Sequence, residues 1–144
     1  MKLIPHYSLA EANALLPLVR RVFEQVRPLH TSLQTLVSEL TARGLGQVLE
    51  RGAEPSDELV GVRNRAWALA GRIREHLLEL EDLGIEVKAP DGLVDFRSRY
   101  RGRVVYLCWK WNEDEIGFFH ELDTGFPGRE PVEDPDEFVG DGRH

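Results

Sequence analysis

The sequence predicts an α+β fold in which a long antiparallel helical hairpin packs with a small antiparallel β-sheet. Three observations lead there. Leu15, Val19, Val22, Val26, Leu29, Leu33, Leu36 and Leu40 recur at alternating four- and three-residue intervals, the coiled-coil rhythm of a helix lying along another helix. A second helical run, Leu59, Ala66, Ala70, Ile73, Leu77 and Leu80, is flanked by Val62, Leu69 and Leu83. After Gly84 the period shortens to two, and short alternating runs separated by turn residues continue to Leu122.

Taken in order, Met1 to Tyr7 is an extended lead-in. Ser8 stands three residues before Glu11, a capping box that starts the first helix near Leu9. Pro17 lies too far inside for a first-turn proline and predicts a kink or division there, while the rhythm runs through Pro28 without changing phase. Leu16, Phe23 and Val37 widen the stripe, so this helix needs more than one neighbour. His30 lies in that row and reads as a packed residue. Gly44 to Glu54 is the connection, Pro55 or Ser56 opens the second helix with Asp57 and Glu58 in its first turn, and Gly84 caps it. His76 falls opposite Val22 in such a hairpin, too far from His30 to share a ligand with it.

Ile85 to Lys88 and Leu93 to Phe96 predict two short strands joined by a turn at Ala89 to Gly92. Val104 to Trp111 is the strongest strand, turning through Asn112 to Glu115 into Ile116 to Leu122. Pairing Trp111 with Ile116 places Trp109 opposite Phe118, Leu107 opposite His120 and Val105 opposite Leu122, one apolar face for the helices. One domain over residues 1–144 follows: hairpin 8–84, sheet and loop 85–131, irregular acidic tail 132–144.

The formal net charge of −7 disfavours a general nucleic-acid binder, but it is unevenly spread. From Glu113 to His144 there are 11 Asp or Glu against 2 Lys or Arg, so the acidity belongs to the C-terminal quarter. Such an end can stay solvated, fold back on the mildly basic body or promote self-association. No apolar run approaches the roughly 18 residues of a membrane span, and the lone Cys108 suits a reducing compartment. A cytoplasmic protein is expected.

Several segments carry a family likeness: Ser8 to Pro17, Gly92-Leu93-Val94-Asp95-Phe96, Val105-Tyr106-Leu107-Cys108-Trp109-Lys110, and the run from Phe119 to Arg129. They resemble the bacterial domain of unknown function numbered 2203 over nearly the whole chain. The last motif is the most specific, and Phe119 stands where the family pattern calls for tryptophan. The resemblance implies no activity, substrate or cofactor. It marks Asp95 to Arg129 as the distinctive region.

There, Asp95, His120, Glu121 and Asp123 form a candidate set for a divalent metal, since imidazole and carboxylates ligate zinc, manganese or iron and an open position activates water. Regular alternation points His120 away from Glu121 and Asp123, so convergence requires a bulge or a twisted strand end. The competing reading buries His120 beside Leu107, bonded to Asp95, with Glu121 paired to an arginine. Gly125, Gly128 and Arg129 form a candidate anion loop, or a turn whose Arg129 returns to Glu121 or Asp123. Cys108 reads as a packed thiol. Arg63, Arg65, Arg72 and Arg74 around Trp67, and the run Arg97 to Arg103, are candidate nucleic-acid contacts, although the alternating charges of the second helix suit a solvated face.

The strong signals are packing signals. The expected function is therefore a non-catalytic, self-associating interaction or regulatory protein, a homodimer. A metal-dependent or anion-handling enzyme is the alternative, and a nucleic-acid-binding protein the third reading.

Overall fold

In the computed structural model, which describes residues 3–142, the predicted helices and strands appear in the predicted order, and a further short strand forms within the tail expected to be irregular. The start of the lead-in, Met1 and Lys2, and the end of the acidic tail, Arg143 and His144, lie outside the described residues. Helix α1 (Leu9–Ala14) begins on the predicted capping box: the Glu11 N–H donates to Ser8 Oγ at 3.1 Å and the Ser8 N–H to Glu11 Oε1 at 2.8 Å. The helix then stops at Leu15 and restarts as α2 (Leu16–Ala42), with Pro17 in the new first turn, where a missing N–H leaves no bond unmade. Pro28 is carried inside α2 on its exposed side.

Helix α3 (Asp57–Glu81) returns along α2 with Asp57 and Glu58 in its first turn. Its end is tied off where the Ile85 N–H donates to the Leu80 carbonyl at 3.1 Å, and Gly84 supplies the left-handed backbone (φ 78°). Between the helices, Gly46–Leu49 forms a 3₁₀ turn. The Trp67 indole N–H donates to Leu49 O at 3.1 Å and pins that turn to α3.

Strands β1 (Glu86–Ala89), β2 (Leu93–Tyr100), β3 (Arg103–Lys110), β4 (Phe118–Glu121) and β5 (Glu130–Pro131) lie side by side in chain order, each antiparallel to the next. A sixth strand, β6 (Phe138–Val139), returns to the outer edge of β2. That edge is shared by three short pieces. β1 covers Leu93 to Asp95, the Tyr7 N–H donates to the Arg97 carbonyl at 2.7 Å, and β6 pairs with Arg99 and Tyr100. Arg97 to Tyr100, beyond the expected end of this strand at Phe96, thus belongs to β2.

One face of the sheet is the core. Val94, Phe96, Val105, Leu107 and Trp109 pack with Leu16, Val19, Phe23, Val26 and Leu80 in a continuous apolar cluster. Phe23 meets Trp109 at 6.4 Å and Tyr7 meets Phe96 edge-on at 5.7 Å between ring centres. Each such side chain contributes about 1.5–3 kcal/mol of burial, an upper estimate. The sheet does not extend along the whole hairpin: Val19, Val22, Phe23 and Val26 are buried, whereas Leu29, Leu33 and Leu36 are only partly covered.

The register of the β3–β4 hairpin differs from the expected one by a single residue. Val105 pairs with Glu121, Tyr106 with His120, Leu107 with Phe119 and Cys108 with Phe118. The four-residue turn from Asn112 to Glu115 does not form. The chain leaves the ladder after Lys110, where the Glu113 N–H returns to Lys110 O at 3.0 Å and Asn112 adopts φ 81°. Ile116 is drawn off by the Asn13 side chain, whose Oδ1 accepts its N–H at 2.8 Å. The longer loop shifts β4 by one position, and a one-residue shift exchanges its faces. Phe119 therefore joins the core side, and His120 moves to the opposite face with Tyr106 and Cys108.

The acidic C-terminal segment folds back. Arg99 pairs with Asp141 at 2.8 Å, Arg101 with Glu137 at 3.2 Å and Arg103 with Glu121 at 2.7 Å, while Arg97 approaches Glu86 at 3.5 Å. Arg99, Arg101 and Arg103 of the basic run thus find their counter-charges in the acidic C-terminal quarter. Asp141 also accepts the His6 N–H at 2.9 Å, and with the Arg99 guanidinium this holds its carboxyl down to about 2. A lowered folded-state pKa adds stability that is present above the unfolded value of 3.8 and lost as the pH falls through about 2. A carboxyl carbon-13 titration should find the Asp141 midpoint well below the ordinary aspartate range, and an Arg99→Ala variant should return it upward. A midpoint near 3.8 in the intact protein would refute the pairing.

Candidate functional site

The face of the sheet turned away from the helices is polar in sequence yet closed in structure. Asp95 on β2 is the register partner of Cys108 on β3, and His120 follows on β4 opposite Tyr106. The slipped register is what places the three side chains on one face of neighbouring strands. They are 2%, 0% and 3% exposed, and one ligating atom from each lies within 4.8 Å of the other two.

Within the cluster His120 Nε2 is 3.0 Å from Asp95 Oδ2, and Nδ1 is 2.8 Å from the backbone oxygen of Glu121. A carbonyl oxygen only accepts, so Nδ1 carries the hydrogen. Asp95 Oδ1 is buried without an N–H or O–H donor, and the Cys108 thiol is the group that approaches this carboxyl. Burial raises the Asp95 pKa against the opposing pull of His120. Burial, reinforced by the Asp95 carboxylate, pushes the Cys108 thiol up to about 11, although Arg129 draws it the other way. A fully enclosed thiol that holds its proton so firmly is a poor nucleophile.

A layer of cations and rings closes the face. The segment after β4 turns through Gly125 (φ 61°) into a 3₁₀ turn at Phe126–Gly128, and a side chain at Gly128 would strike Thr124, whose Cβ lies 2.6 Å from the position of an added Cβ. This strap delivers Arg129 onto Phe118 at 3.9 Å and Phe126 at 4.7 Å. Its guanidinium pairs with Glu113 at 2.5 Å and lies 3.8 Å from Cys108 Sγ. Lys88 and Arg97 each approach the Tyr106 ring at 5.5 Å, and Tyr106 meets His120 at 5.4 Å. A cleft of about 310 Å³ opens beside Phe126, Lys110 and Trp111, and none of Asp95, Cys108 and His120 lines it.

The candidate residues are thus distributed as follows. Asp95 and His120 come together. Glu121 projects from the other face of β4, where Arg103 holds it by two bonds of 2.7 and 2.9 Å and lowers its pKa. Asp123 is exposed in the turn beyond. Regular alternation separates both from His120, and no bulge intervenes. Gly125, Gly128 and Arg129 form the strap, and the carboxylate that Arg129 meets is Glu113, not Glu121 or Asp123. Cys108, read from sequence as a packed thiol facing away from His120, completes the buried group. The correct hairpin register was the only signal for it.

On α3, Arg63 lies over the Trp67 ring at 4.6 Å and reaches Ala53 O at 3.5 Å, whereas Arg65, Arg72 and Arg74 are exposed. Arg97, Arg99, Arg101 and Arg103 all face carboxylates.

A family model described as Uncharacterized conserved protein (DUF2203) matches residues 6–132. The chain belongs to this family. No curated protein and no solved structure matches it. The DUF2203 match takes in α1, the buried Asp95, Cys108 and His120 and the whole strap, and it ends at Val132, before β6. Among the described residues, no helix is long and apolar enough to cross a membrane.

Proposed function

We propose that this DUF2203 protein is a non-catalytic, cytoplasmic interaction protein that pairs with a second copy of itself through the outer half of its helical hairpin. The observation that carries this reading is the character of α2 beyond the sheet. Between Leu29 and Leu40 the only Asp, Glu, Lys or Arg is Glu39; the rest is Leu, Val, Ser, Thr, Gln and one His. A helix face meant for water normally carries charge. This one has partly covered Leu29, Leu33 and Leu36, and Val37 is 36% exposed.

Two helices alone enclose a single seam, and two hairpins side by side enclose a bundle interior. A second copy supplies the same uncharged surface, which suits a symmetric contact. A non-catalytic role is supported by the distinctive region, where Arg103 pairs with Glu121, Arg129 pairs with Glu113 and the Cys108 thiol is enclosed.

The test is molar mass by light scattering across a concentration series. A dimer is expected at micromolar concentration, insensitive to salt because the contact is apolar, and Val37→Glu should weaken it at least tenfold while leaving the helical content unchanged. A monomer at every concentration would refute the proposal. So would a dimer that Val37→Glu leaves intact.

A further inference from the structure

The buried group on the outer sheet face has a donor set that a structural polar network does not need. We infer that Asp95, Cys108 and His120 form a binding site for a divalent metal ion of the zinc class.

The geometry leads there in three steps. First, His120 is oriented as metal-binding histidines usually are: one ring nitrogen is committed to a backbone carbonyl, which fixes the tautomer and turns the other nitrogen toward the ligand set. Second, with the hydrogen on Nδ1, the neutral ring presents a lone pair at Nε2 to the lone pairs of Asp95 Oδ2, 3.0 Å away. Two acceptors at that distance require a cation between them, a proton or a metal. Third, Asp95 Oδ1 is buried with no N–H or O–H donor, and the Cys108 thiol, which approaches the Asp95 carboxyl, belongs to the same group within 4.8 Å. A tetrahedral zinc site with N and O ligands at about 2.0–2.1 Å has N···O edges of about 3.3 Å, so the observed Nε2···Oδ2 separation needs only a small adjustment.

The charge balance also fits. With a thiol and one proton shared by Asp95 and His120, the group is neutral overall. Binding M²⁺ to the thiolate, the carboxylate and the neutral imidazole releases those two protons to solvent and again leaves the group neutral. No net charge is therefore buried in the exchange, which avoids the penalty that excludes isolated ions from such an interior. Sulfur, nitrogen and oxygen donors together select zinc over magnesium or calcium, which take oxygen ligands. Among the described residues no fourth His, Cys, Asp or Glu joins the group, leaving the remaining coordination position to water. Arg129, with its guanidinium near the sulfur, is a neighbour and not a ligand.

The experiment uses the full chain without an affinity tag, stripped with chelator and titrated with Co²⁺ and then Zn²⁺. One Co²⁺ per chain should produce a near-ultraviolet thiolate-to-cobalt charge-transfer band, and Zn²⁺ should abolish it by displacement. At a free metal concentration one hundred times the dissociation constant, the folded state should gain about 100-fold over the unfolded state. Cys108→Ser should lose the band, and Asp95→Asn should weaken binding at least tenfold. Should a variant fail to fold, the wild-type titration still decides: absence of stoichiometric binding, or binding without the sulfur band, overturns the assignment. The result does not depend on the oligomeric state, so its failure and that of the dimer are separate.

Discussion

Replacing Asp95 with alanine in the metal-free protein should destabilise the fold by about 3–5 kcal/mol, the cost of removing one partner from a buried charged or proton-sharing pair. The reason is what remains. His120 Nε2, buried beside the Tyr106 ring, loses the oxygen 3.0 Å away that is its hydrogen-bond partner. A double replacement, Asp95→Val with His120→Leu, should recover most of that loss, because an apolar pair asks nothing of its surroundings. Urea unfolding of the two singles and the double gives a coupling energy directly. If Asp95→Ala cost less than about 1 kcal/mol, the pair would have to be wet, contrary to its burial.

The second large effect is expected at Phe138, beyond the family match. Its side chain is 3% exposed, stacks on Tyr100 with ring centres 4.6 Å apart and meets Phe119 edge-on at 5.1 Å. Phe138→Ala should cost about 3–5 kcal/mol, the range for aromatic truncation in a packed core, while Val139→Ala, at a half-exposed neighbour, should stay within about 0.5 kcal/mol. Hydrogen exchange should locate the damage: the β6 pairing partners Arg99 and Tyr100 should lose protection before the centre of β3 does. Equal effects at Phe138 and Val139 would mean that β6 is only a surface decoration.

Much of the architecture was legible because it depends on local signals. The Ser8–Glu11 capping box, the stop before Pro17 and the hydrophobic rhythm of α2 and α3 each follow from residues within a few turns of one another. The register of β3 and β4 was not. It is decided by long-range contacts, Asn13 capturing the Ile116 N–H and Trp109 donating to Glu113 O at 2.9 Å, and these convert an apparent tight turn into a longer loop. That single slip separated the expected Asp95, His120, Glu121 and Asp123 set from the observed Asp95, Cys108 and His120. The fate of the acidic segment was half-readable. Its charge and the basic run at Arg97 to Arg103 were plain, but Phe138, the anchor that joins them, stands alone among acidic residues and gives no periodicity.

The shared outer edge of β2 also sets the order in which the molecule can be completed. α2 and α3 meet across a short connection and can find each other early. β2 cannot be closed until residues 6 and 7, at one end, and 138 to 141, at the other, arrive at the same edge, and the His6–Asp141 bonds span 135 positions. Contacts so distant in sequence are slow to form, since the entropy of loop closure precedes any gain. On the ribosome, a chain that has emerged only as far as Val132 would hold a formed hairpin and an unfinished sheet edge, exposed to other strands until residues 138 to 141 follow.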